Sequence, residues 1–194
     1  MRKDVAVAGR LDEAQRVEPR SRAAWRAWLA DHHATSPGVW LVDFTKASGK
    51  ARLEYEDIIC EALCFGWIDS TLRVEGDRRL LYVAPRRPGG TWARSNKERV
   101  ARLTAEGRMR PAGLAAVEAA KADGSWVMLD SVEALEVPED LAAALAAAPG
   151  ARRRYDDLPP SRRKQLLWSV VSAKRAQTRE RRVAAVVQEV LASS

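Results

Sequence analysis

Residues 67–84 read WIDSTLRVEGDRRLLYVA. Trp67–Glu75 reads as a strand, Gly76-Asp77 as a turn, and Arg79–Ala84 as the returning strand. The pattern predicts a β-hairpin. Working outward, Leu53–Phe65 places Ile58, Ile59, Ala62 and Leu63 along one side of a helix, and Gly66 suits its C-terminal end. Val39–Phe44 (VWLVDF) reads as another strand. Ser21 is placed to cap a helix carrying Trp25, Trp28 and Leu29 at i, i+3 and i+4. A short strand is also expected in Asp4–Ala8.

Downstream of the hairpin, Pro85–Gly90 is a loop. Helices follow over Ser95–Leu103 and Pro111–Ala122, punctuated by Gly107 and Gly124. Beyond the acidic stretch Asp130–Pro138 the pattern is all-helical: Glu139–Ala148, Arg152–Asp157, a helix opened by Pro160 with Leu166, Leu167, Val170 and Val171, and a last helix capped by Thr178. The fold class is α+β: a small, mainly antiparallel sheet with flanking helices, followed by a helical C-terminal subdomain. The expected organisation is a polar leader over 1–20, an α+β core over 21–129, an acidic linker over 130–138 and a basic helical subdomain over 139–194.

The 194 residues suit one domain with at most a small appendage. A chain of this size buries roughly 70% of its unfolded surface and needs no covalent staple. Hydrophobic residues make up 46% and charged residues 30%, with no long apolar run, which excludes a membrane-spanning helix, collagen and wholesale disorder. The N-terminus is basic without an apolar stretch, so the expected location is cytoplasmic. Cys60 and Cys64, four apart on a helix, read as small core hydrophobes. No metal or cofactor is expected. The run Lys46–Lys50 lacks the glycine spacing of a phosphate-binding loop, His32-His33 has no clear partner ligands, and no G-x-S-x-G string occurs.

The net charge of +7 is uneven. Residues 151–194 hold eleven Lys/Arg against four acids, while the first 150 residues hold 22 of each sign. Such asymmetry points to an acidic partner: nucleic acid, a phosphate ligand or a membrane surface. The alternative is a solvated basic helical face.

Several strings together resemble a known family. They are W-x-x-W-L at Trp25–Leu29, CFGWIDS at Cys64–Ser70, PRRPGGTWARSNK at Pro85–Lys97, GRMRPAG at Gly107–Gly113, the segment Lys121–Trp126, and WSVVSAKRAQTRERR at Trp168–Arg182. In this order, over residues 21–192, the chain resembles the YdeI/OmpD-associated, or bacteriocin-protection, family. Glu54 and Ala93 depart from its usual Thr and Ser. The resemblance implies a bacterial protein linked to tolerance of stress or antimicrobial peptides, and it implies no particular reaction.

Two candidate sites emerge. Trp67 and Asp69 lie two apart on a strand and share a face. A carboxylate there needs a partner, and Arg86 or Arg87 can supply it. With Trp92, Asn96 and Lys97 they form a candidate ligand-binding corner, against the alternative of a structural ion pair pinning the loop to the sheet. The second candidate is an anion site among Arg162, Arg163, Lys174, Thr178, Arg179 and Arg182. Cations at a helix N-terminus oppose its dipole, and a bound anion or nearby acids would compensate. Three functions remain open. The favoured one is a non-enzymatic factor binding a small or anionic ligand or a protein partner. The others are a nucleic-acid binder using the basic C-terminal helices, and a small-molecule enzyme with Asp69 as acid or base and Arg86 as anchor.

Overall fold

A computed structural model describes residues 12–192, and the strand expected in Asp4–Ala8 lies outside the described residues. The chain forms two compact units, Met1–Gly90 with Ser95–Gly124, and Thr91–Arg94 with Ser125–Ser194. The architecture is α+β.

The first unit is built on a four-stranded sheet in the order β1-β2-β4-β3. These strands are β1 (Arg16–Val17), β2 (Val39–Phe44), β3 (Trp67–Glu75) and β4 (Arg78–Pro85). β1 pairs with β2 in parallel, and the other pairings are antiparallel. The expected hairpin is β3–β4, and β2 lies on the far side of β4. The β3–β4 register shifts between Asp69 and Thr71. Such a bulge bends a strand and re-aims its side chains.

Helices α1 (Arg22–His32), α2 (Tyr55–Cys64), α3 (Arg94–Ala105) and α4 (Pro111–Ala122) complete the unit, with Arg94 itself assigned to the second unit. Ser21 caps α1, its hydroxyl accepting from the Ala24 amide. α2 buries Ile58, Ile59, Cys60, Glu61, Ala62, Leu63 and Cys64. Trp25 donates its indole N–H to the Ile58 carbonyl, joining α1 to α2. On the sheet, Trp40, Val42 and Leu80 form a smaller cluster with Ala14 and Tyr82. Three ion pairs, Asp12–Arg73, Arg16–Glu75 and Glu18–Arg78, lace segment 12–18 to the hairpin.

The second unit contains α5 (Asp130–Glu133), α6 (Glu139–Ala147), α7 (Ala151–Asp156), α8 (Pro160–Val171) and α9 (Ala176–Ala192). Its core gathers Val132, Leu141, Leu145, Tyr155, Leu166, Leu167, Val170 and the valines of α9. The acidic stretch 130–138 holds α5, and Val132 is part of that core. α9 begins two residues before Thr178, so Thr178 sits in its first turn instead of capping it.

Candidate functional site

α2 presents its N-terminus to β3. Tyr55 opens the helix, and its hydroxyl donates to Asp69 Oδ2 at 2.8 Å, beside the bulge. Burial first, then this hydrogen bond, push the Tyr55 phenol up to about 12. Arg86 is close enough for Asp69 to act on its charge, yet burial dominates and pushes its guanidinium down to about 10. Next to Tyr55, Glu56 accepts from Arg99 at 2.7 Å and from Arg102 at 2.8 Å. The bonds from Arg99 act most strongly, those from Arg102 and Cys60 add to them, and the Glu56 carboxyl falls to about 2. Arg99 also donates to the Asn96 side chain at 3.0 Å. Burial, then Glu56, raise the Cys60 thiol to about 11.

The expected corner is therefore rearranged. Asp69, Arg86 and Asn96 belong to this charged network, which runs through Tyr55, Glu56, Arg99 and Arg102. Trp67 is 1% exposed and is part of the core. Its indole donates to the His33 carbonyl, and its ring meets Trp28 edge-on at 5.9 Å. Arg87 is exposed and Lys97 half-buried in the same unit. Trp92 belongs to the second unit, where its ring lies 4.9 Å from Trp126.

Deeper in the first unit is a cluster that motif reading missed. Glu61 is fully buried. It accepts from Arg22 Nε and from Arg26 at 2.6 Å each, and also from Arg108. Burial alone would raise its carboxyl, but the three arginines outweigh that and hold it low. The signals present in the sequence were Arg22 and Arg26 at i and i+4 and one acid inside an otherwise apolar helical run.

A further cleft, of about 320 Å³, opens where segment 18–20, the end of β2 and segment 51–53 meet. Arg20, Arg52 and Arg78 line it, with Glu18 and Asp43. Asp43 is 7% exposed and fully engaged. Its Oδ1 accepts from the Phe44 amide at 2.7 Å, and its Oδ2 accepts from the Leu53 amide and from Arg79, both at 2.8 Å. Arg79 also donates to the Leu53 carbonyl, so segment 51–53 is clamped to the sheet. Lys50 and Arg78 lie over the Phe44 ring at 4.6 and 4.5 Å. Among the described residues, no group of three or more His, Cys, Asp or Glu is placed to hold a metal.

In the second unit Arg162 and Arg163 lie in the first turn of α8, whereas Thr178, Arg179 and Arg182 lie near the start of α9, with Lys174 just ahead of it. Arg162 bonds Gln165 and Glu189, toward the end of α9. Arg182 donates to the Ser169 carbonyl and the Ser172 hydroxyl, at the other end of α8. Arg179 grips Asp140 with two bonds, at 2.6 and 2.9 Å. Arg163 keeps a buried Nε without a hydrogen-bond partner among the described residues. Lys174 is exposed just ahead of α9, and Thr178 lies in its first turn.

Two family models match the chain. Residues 17–116 match the one described as Domain of unknown function (DUF8412). The chain belongs to the DUF8412 family. Residues 134–192 match the model described as Bacteriocin-protection, YdeI or OmpD-Associated, so the family expected from the sequence is present over that segment. The strings from Trp25 to Gly113, assigned above to the second family, fall within the DUF8412 match instead. The charged network of α2, the Glu61 cluster and the Arg-lined cleft all lie in the DUF8412 range. No curated protein and no solved structure matches the chain. Among the described residues no helix is long and apolar enough to cross a membrane.

Proposed function

We propose that the protein is a non-enzymatic factor that holds a small-molecule ligand on its first unit. Its role lies in tolerance of stress or antimicrobial peptides, a reading supported, for the peptides, by the words bacteriocin-protection in the description of the second family. One observation carries this reading: the polar side chains gathered there are fixed in charge and largely bonded to one another. Tyr55 at about 12, Cys60 at about 11, Arg86 at about 10 and Glu56 at about 2 all lie far from pH 7. General acid–base catalysis works best with a group poised near the working pH. Groups each held in one protonation state, charged or neutral, suit recognition instead. Arg162, Arg179 and Arg182 are engaged within the second unit, which favours the small-ligand reading over a nucleic-acid one.

The test is a ligand-library thermal-shift screen, since binding to the folded state raises Tm. The expected result is a compound that stabilises the protein and is recovered chemically unchanged. Turnover of that compound, lost in Asp69→Asn, would establish an enzyme and overturn the reading.

A further inference from the structure

The cleft at the end of β2 has an imbalance of charge that the fold does not account for. Four guanidinium groups, those of Arg20, Arg52, Arg78 and Arg79, gather around two carboxylates of the cleft, those of Glu18 and Asp43, with Glu54 beside Arg52 outside its lining. Both carboxylates are already taken. Arg79 and two backbone amides saturate Asp43, and Glu18 pairs with Arg78 at 3.2 Å. Among the described residues Arg52 reaches only Glu54, at 3.4 Å, a long contact for a charge-assisted bond. Arg20 is exposed and has no ion pair or side-chain hydrogen bond among the described residues.

The walls between these cations are apolar: Pro19, Val42, Phe44, Ala51 and Leu53. Apolar walls lower the local dielectric and strengthen an ionic contact made inside. The floor is rigid, because the Asp43–Arg79–Leu53 clamp fixes segment 51–53 before any ligand arrives. A preformed concavity of this size, in which charged side chains converge among apolar ones, has room for a small molecule.

We infer that this cleft binds a small organic anion, a carboxylate or phosphate ester, with Arg20 and Arg52 as its principal charge contacts and Arg78 at its side. The inference rests on the binding reading above and gives it a place and a chemical class. Arginine suits the task because its planar fork matches both carboxylate and phosphate oxygens and keeps its charge at every physiological pH. The short apolar side chains accommodate the carbon skeleton of the ligand, and the locked Asp43 repels a second acid at the floor.

The experiment is calorimetric titration of the full chain with inorganic phosphate and, separately, succinate, at constant ionic strength set with chloride. Wild type is expected to bind at least one of the two saturably. The Arg20→Gln/Arg52→Gln double variant is expected to bind at least tenfold more weakly with an unchanged Tm. Arg153→Gln, a surface cation of the second unit, is expected to leave Kd unaltered. Amide shifts at Ala51, Arg52 and Leu53 on titration give a second readout that needs no variant. An unchanged Kd in the double variant overturns the location while leaving the binding reading intact. Stabilisation by a neutral compound, with neither phosphate nor succinate binding beyond chloride, overturns the chemical class and again spares that reading. Failure of every compound to bind removes both.

Discussion

Arg26 and Glu61 lie 2.6 Å apart across neighbouring helices, with the carboxylate fully buried. Arg22 and Arg108 share the same carboxylate. Removing the buried carboxylate leaves three half-buried guanidinium groups without their shared partner. Glu61→Gln is therefore expected to lower stability by about 3–5 kcal/mol, read from urea unfolding. A loss under about 1 kcal/mol would show that the arginines are solvated well enough to stand alone.

Acid should weaken the first unit through Glu56. Its folded pKa, about 2, lies below its ordinary value of 4.5. A group depressed in the folded state stabilises it above the ordinary pKa and loses that contribution as pH falls through the folded value. Stability should thus decline between pH 4.5 and about 2, and Glu56→Gln should flatten that part of the curve. Parallel curves for the two proteins would contradict the assignment. Glu61, also held low, adds a fall of the same sign.

α4 approaches α2 at Gly113. A Cβ there would stand 2.7 Å from the Leu63 carbonyl oxygen, a backbone atom that cannot swing aside. Gly113→Ala should cost about 1–3 kcal/mol or more from overpacking, despite the better helix propensity of alanine. A raised Tm would show that the two helices slide apart freely.

Cys60 and Cys64 are buried, 2% and 0% exposed, and the Cys60 thiol is displaced to about 11. The thiolate is the reactive form. Native protein at pH 7.5 should therefore react with iodoacetamide far more slowly than urea-unfolded protein. Equal rates would mean that α2 opens readily.

Tyr155 is fully buried in the second unit, and its hydroxyl has no hydrogen-bond partner among the described residues. Tyr155→Phe removes the desolvated group and keeps the ring, so stability should rise by about 1 kcal/mol. A fall in thermal denaturation would reveal a partner for the hydroxyl.

The hairpin, the capped α1 and the apolar stripe of α2 were legible because periods of 2 and 3.6 show in a single pass along the chain. Asp69 was also legible as a polar residue on a core-facing strand. What it meets was not. The bulge arises from how β3 pairs with β4, and Tyr55 arrives from another element. Trp67 looked like the wall of a hollow because a tryptophan beside an acid suggests a site, yet Trp28 and the His33 carbonyl already satisfy it. Glu61 draws its three cations from two separate parts of the chain, and the cleft beside Asp43 assembles from four. Spacing rules reach neither. The acidic stretch at 130–138 read as a connector by composition, whereas Val132 is part of a core.

Thr91–Arg94 belongs with Ser125–Ser194 although the chain returns to the first unit between them. A single proteolytic nick after Gly124 would therefore release a C-terminal piece lacking four of its own residues. Among them is Trp92, whose ring faces Trp126. Expressed alone, that piece begins with one half of an aromatic pair, and its midpoint of thermal melting reports how much those four residues matter.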